Sequence, residues 1–407
     1  MRSSTLARPN FKQTVEPAFL DPTSMDKTKS VLSILKAFGQ DLLWDETIDP
    51  EVRQELEAIQ ACRDGSYGST HYHCPNCQGA KFVAAPCKNR HCPACSWQRQ
   101  MAWLDNVLSW KLACPYFHVV FTAPHELNPL IQANRHRMYD LFFRTSLSTV
   151  RQVAENDYGC TPAILQALHT WGQRMKQHVH IHMIVSAGGL AYRTHEMPSK
   201  NRPAKSNTTK AAEYRWVEIP RDASAMQAQH LADLFQKKFL RRLRHLYKKG
   251  LLILPEEMKD IDSLEAFTKW LEPHAKRPWK TDVQITPEHL QDGHPLMLYL
   301  SNYIAGTAIS DHRIVSVDSK KVTISYWCYR TSRYLTETME GEEFVRRYLL
   351  HIVPTQCRRL RSHGLFRGQL RKVHLHRCHR LIRAWWAIQS DVPRCDSEIS
   401  FQRKPII

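Results

Sequence analysis

The stretch His178-Val179-His180-Ile181-His182-Met183-Ile184-Val185 decides the reading of this chain, because it sets histidines two residues apart among β-branched and apolar spacers. That composition predicts a strand. Residues two apart on a strand share a face, so His178, His180 and His182 project together while Val179, Ile181 and Met183 turn toward a core. Imidazole suits Zn, Mn, Fe or Ni, and a rigid strand can aim two ring nitrogens at one divalent ion. A lone histidine in such a strand would read as structural. Just upstream, PAILQALHTW at 162–171 leads through GQRMKQ into the histidine strand. If the segments flanking that turn pair as a hairpin, His169 or Gln173 approaches the ion as a third ligand. Gly188-Gly189 is expected to end the strand.

Working outward, the chain of 407 residues exceeds one typical domain, so two or three modules around a sizeable core are expected. Lys and Arg total 57 against 39 Asp and Glu, a net charge of +18, while 43% of residues are hydrophobic. A globular chain with such a field attracts polyanions, and nucleic acid is the first candidate. No run of 18 apolar residues occurs and no apolar segment follows Arg2, so a soluble, non-secreted protein with no membrane partner is expected. In that setting the 12 cysteines read as thiols and metal ligands rather than disulfides.

Residues 1–30 are polar and read as a loose arm; helical spacing follows at 31–43 and 51–63. Next comes a cysteine cluster: Cys74-Pro-Asn-Cys77, then Cys87, then His91-Cys92-Pro-Ala-Cys95. Two CxxC knuckles can wrap one tetrahedral zinc, because each turn points both sulfurs inward, so Cys74, Cys77, Cys92 and Cys95 are the expected ligands. Cys62, His71 or His73, Cys87 and His91 remain for a second site. Four protein ligands leave no open position, so the role is structural or DNA-docking.

Phe117-His-Val-Val-Phe-Thr122 reads as another strand, and 128–158 as helical. Leu231 to Leu246 is an amphipathic helix whose polar side carries Lys237, Lys238, Arg241, Arg242 and Arg244, a solvated face or a phosphate contact. In PLMLYLSNYIAGTAIS at 295–310, Tyr299 and Tyr303 stand four apart, so on a helix both hydroxyls emerge from one face. From Phe344 to Ser390 there is no acidic residue and there are 11 Lys and Arg, with Phe366, Trp385 and Trp386 available to stack on unpaired bases. A metal on two histidines, a tyrosine pair and a basic surface together suggest DNA strand cleavage through a phosphotyrosine. Tyrosine, with a pKa near 10, is a poor nucleophile at neutral pH, and an ion that polarises the phosphate offsets this. The covalent bond conserves the ester energy, so rejoining needs no ATP, and no GxxxxGK[ST] sequence is present.

The cysteine cluster, YFHVVFTAPHEL, LHTWGQ leading into HVHIH, and YLSNYIAGTAIS together closely resemble the two-tyrosine HUH transposases of rolling-circle insertion sequences, the IS-ninety-one type. The resemblance spans roughly residues 55–365. It implies that His180-Ile181-His182 is the HUH motif, that Tyr303 and Tyr299 are the nucleophiles, and that Phe117 to Thr122 is the first motif strand. It also implies an α+β fold: an RRM-like HUH nuclease core of antiparallel sheet with packed helices, preceded by a small zinc-binding domain. Mg or Mn would be the working ion, single-stranded element ends and target DNA the partners, and the bacterial cytoplasm beside the nucleoid the location. His178 fits the family pattern and would support the pair. The organisation implied is an arm and helical support over 1–54, a zinc-binding domain over 55–100, an HUH domain over 101–345 with a basic insertion at 190–290, and a basic DNA-binding extension over 346–407. The chain departs from the family in having Val179 and Met183 where Pro and Cys are frequent, and in lacking a C-terminal CxxC, for which Cys378 and Cys395 are unsuitably spaced. The competing readings are a plasmid replication initiator or relaxase of the same chemistry, and a non-catalytic zinc-containing nucleic-acid-binding protein.

Overall fold

A computed structural model of the chain describes residues 29–192, 214–221, 226–285, 306–368 and 371–389. The hairpin anticipated around 172 is present: strand β4 (Thr161–Trp171) turns back into β5 (Gln177–Tyr192) and pairs with it antiparallel. These two strands form the middle of a six-stranded sheet with β3 (Tyr116–Thr122), β6 (Tyr214–Glu218), β7 (Thr281–Ile285) and β11 (Leu360–Gly364), in the order β11-β4-β5-β3-β7 with β6 also on β5. Every pairing in it is antiparallel. Gly188-Gly189 does not end the histidine strand; it lies within it. A β-carbon at Gly189 would stand 2.4 Å from the Thr161 carbonyl oxygen of β4, so the glycine permits a close strand approach rather than a turn.

The sheet separates two environments. Odd-numbered residues of β5, among them Val179, Ile181, Met183 and Val185, bury against the helices Arg135–Tyr158, Ala228–Lys248 and Leu264–Lys276. The first of these stops at Gly159, whose φ of 60° supplies the left-handed residue that closes a helix. On the even face, Ile184 joins Leu165, Tyr116 and Phe366 beneath the helices Pro93–Leu108 and Arg371–Gln389. Two residues earlier that face changes character, and imidazoles replace the apolar side chains.

A third apolar cluster joins the N-terminal helices Val31–Phe38 and Pro50–Gln60 and the cysteine region to the helix Gly341–Leu349 and a small sheet of β8 (Ile314–Val317), β9 (Lys321–Cys328) and β10 (Arg333–Glu340). The expected basic C-terminal face is partly consumed by this packing. Arg347 pairs with Glu337 and Glu343, Arg346 with Asp45 and Glu342, and Arg361 with Asp140. Phe366 is fully buried and Trp385 packs on the apolar cluster, so Phe366 is a core residue, not the stacking platform its sequence context suggested. The Trp386 side chain, like Tyr299 and Tyr303, lies outside what is described. Among the described residues no helix is long and apolar enough to cross a membrane.

Candidate metal centres

Cross-strand register builds the histidine centre. His169 on β4 stands directly opposite His180 on β5, and His182 follows two residues on, so all three project from the even face. One nitrogen from each lies within 4.8 Å of the others. Nitrogens sharing an ion at about 2.1 Å stand roughly 3–4 Å apart, so small ring rotations suffice to close this trio on one ion. The rings of His169 and Trp171 stack at 4.7 Å and 13°, which fixes His169 from behind. His178, also on this face, is exposed and its ring lies 4.9 Å from that of His180.

A hydrogen bond settles which nitrogen His180 presents. The Nδ1 of His180 lies 2.8 Å from the carbonyl oxygen of His178. A carbonyl only accepts, so Nδ1 carries the proton and Nε2 offers its lone pair. The Nδ1 of His182 lies 2.9 Å from Nε2 of His118 on β3, a fully inward histidine that the sequence reading did not single out. Gln284 stands directly across from His118 on β7, and its Nε2 donates to Asp282 at 2.8 Å. Strand register thus sets His118, the partner of the candidate ligand His182, opposite Gln284. With His182 ligating through Nε2, its Nδ1–H donates to His118, the arrangement that commonly orients metal-bound imidazoles. Burial holds the pKa of His180 down at about 3 and that of His182 well below the usual range, with neighbouring imidazoles adding to the effect. Both rings are neutral at pH 7, as ligands must be.

The cysteines assemble differently from the expectation. Cys62, Cys87, Cys92 and Cys95 converge, with Cys95 Sγ 3.7 Å from the sulfurs of both Cys62 and Cys87. A tetrahedron with Zn–S near 2.3 Å has edges of about 3.8 Å, so this tetrad matches zinc closely. Cys74 and Cys77 instead sit exposed beyond the strand Ser69–His73 (β1), which pairs only with Ala80–Ala84 (β2) among the described residues. The two CxxC knuckles therefore do not converge: that hairpin carries its knuckle outward, while Cys62 and Cys87 stand where Cys74 and Cys77 were expected. His91 is buried outside the tetrad, beside Arg90 and Arg359. The segment is held to the rest of the molecule by Arg90, which donates to the carbonyls of Val353, Pro354 and Cys357, and by Tyr348, whose hydroxyl donates to His91 O at 2.5 Å.

Downstream, Arg359 lies over the Trp171 ring at 5.0 Å and donates to the Gly306 carbonyl at 3.2 Å. Gly306 follows Tyr303 by three positions in sequence.

Residues 34–123 match the model of the transposase zinc-binding domain, and residues 163–373, just over half of the chain, match the family described as "Putative transposase". "Putative transposase y4qJ" of Sinorhizobium fredii (strain NBRC 101917 / NGR234) is 27% identical over 359 residues, covering 86% of this chain and 84% of its own. The "Transposase for insertion sequence element IS801" of Pseudomonas savastanoi pv. phaseolicola is 26% identical over 322 residues, covering 78% and 71%. No solved structure matches. With a zinc-type thiol tetrad inside one matched region and the histidine centre inside the other, the chain belongs to the IS-ninety-one type family of insertion-sequence transposases.

Proposed function

We propose that this transposase cuts and rejoins single-stranded DNA through 5′-phosphotyrosine intermediates in rolling-circle transposition. The observation that carries the reading is the trio His169, His180 and His182 on one sheet face, with ring nitrogens within 4.8 Å of one another and burial holding His180 and His182 neutral. These residues would hold Mg or Mn, which supplies Lewis-acid polarisation of the scissile phosphate and stabilises charge on its oxygens. Tyr303 or Tyr299 is the nucleophile. Its oxygen bonds to phosphorus, the bond from phosphorus to the 3′ oxygen breaks, and the departing 3′ oxygen takes up the proton that the tyrosine loses. Host replication displaces the strand, and the second tyrosine engages the target, so two covalent joints coexist. The Cys62, Cys87, Cys92 and Cys95 tetrad is read as a structural zinc site.

The test is a nicking assay on a single-stranded oligonucleotide from the element's end. Wild-type protein with Mn is expected to form a covalent DNA adduct, His180→Ala/His182→Ala to form none, and Tyr299→Phe/Tyr303→Phe to form none. An adduct from the double tyrosine variant overturns the nucleophile assignment.

A further inference from the structure

On the face of the sheet opposite the histidines, the helices Arg135–Tyr158 and Ala228–Lys248 line a groove of about 450 Å³. Arg144, Ser148, Arg151 and Glu155 form a stripe along its first wall, spaced so that they share one helix face, and Arg242 stands on the second. Lys238 and Arg241 flank Arg242 from the same helix, and Arg361 on β11 lies near by through their shared neighbour Asp140. Two carboxylates face this group: Asp140 pairs with Arg144 and Arg361, and Glu155 with Arg151. Arg242 donates to the Thr145 hydroxyl at 3.0 Å and Lys238 to the Ser148 carbonyl, both neutral acceptors.

The cations here press on one another. Lys238 is pulled down to about 8, by burial first and then by Arg242 and Arg241. Arg242 is lowered by burial, then by Arg241 and Arg144. His363 on β11 is held at about 4 by burial and by Arg361, Arg367 and Arg151. Positive charge in excess of the two carboxylates Asp140 and Glu155 is relieved by a line of anions. The lining has no aromatic side chain on which an unpaired base would stack. What it offers suits a phosphate backbone, and duplex DNA presents one charge per ~1.7 Å of axis.

We propose that this groove binds the backbone of duplex DNA as a contact separate from the histidine centre. The inference needs a DNA partner but not the tyrosine chemistry, so it is tested in the His180→Ala/His182→Ala protein, where cleavage plays no part. The readout is affinity for a short duplex of arbitrary sequence across a salt series. Arg144→Gln/Arg151→Gln/Arg242→Gln is expected to flatten the slope of log affinity against log salt by about 2–3, near 0.9 per lost phosphate contact. The charge-matched control Lys248→Gln/Lys249→Gln/Lys269→Gln, outside the groove, leaves the slope near that of the parent. Arg151→Gln alone, an exposed change that spares folding, is expected to flatten it by about 1. The triple lysine replacement of the same arginines keeps the slope. Equal slopes for the groove and control variants, loss of binding in the lysine variant, or weakening confined to single strands each overturns the proposal.

Discussion

The molecule contains two clusters suited to ions, and they are built on opposite plans. The thiol tetrad is closed: four ligands, three of them buried, drawn from a helix end, a loop and the start of the next helix, fill a tetrahedron. The histidine trio is open: three candidate ligands on a sheet face would leave further positions on an ion they held. Their protonation differs too. Burial pushes the Cys87 thiol up to about 12 and Cys92 higher still, so zinc must displace protons to be held. The imidazoles of His180 and His182 are already neutral. A closed site that must be filled suits permanent structure, and an open one on neutral imidazoles suits exchange and chemistry.

The sharpest way to break this comparison is to empty the closed site. Structural zinc contributes on the order of 10 kcal/mol of binding free energy that is also folding free energy. Cys92→Ser is therefore expected to lose zinc and to uncouple the 62–95 segment from the body, read as zinc content and as loss of cooperative thermal unfolding. Cys74→Ser/Cys77→Ser is expected to keep the tetrad's zinc. Reversal of that pair of results returns the ion to the two-knuckle arrangement.

A smaller effect is expected at the open site from a residue that touches no ion. His118→Ala removes the partner of His182 Nδ1. Loss of such a partner typically costs about 10–100-fold in metal affinity, measured here by calorimetric titration with Mn. His118→Gln, which can still accept from His182, is expected to recover part of it. Unchanged affinity in His118→Ala shows that sheet geometry alone orients His182.

These two residues also mark what was legible in the sequence. His180 and His182 were visible because period-two alternation assigns a face, and His169 because a turn between apolar runs implies a hairpin and hence a partner opposite. His118 escaped because a single histidine in Phe117-His118-Val119 carries no pattern of its own; only the pairing of β3 beside β5 brings it against His182. The thiol tetrad was misjoined for a similar reason. CxxC spacing announces each knuckle but not which distant thiol completes it, and Cys62 reaches the site through helix packing that local spacing does not encode. Gly188-Gly189 misled because glycine serves both a turn and a close strand approach, and only the distance to Thr161 distinguishes them. The 11 cations after Phe344 formed one block in sequence, yet folding sends several of them to different carboxylates.

The smallest expected effect asks whether the two sites are independent. Tyr348 donates to His91 O in the cysteine segment, while His351, three residues on, bridges the Thr170 hydroxyl and the Met175 carbonyl at the turn of the histidine hairpin. One helix end therefore touches both plans. Tyr348→Phe keeps the ring that fills the apolar cluster and removes only the hydroxyl, leaving the buried His91 carbonyl without that donor. The cost is expected at about 1–2 kcal/mol, read as a fall in unfolding midpoint with zinc still bound. If the sites are separate, Mn affinity at the histidines stays unchanged, because His351 keeps both of its hydrogen bonds and Trp171 keeps its place against His169. A matching fall in Mn affinity instead identifies the 348–351 segment as the mechanical link through which the closed site supports the open one.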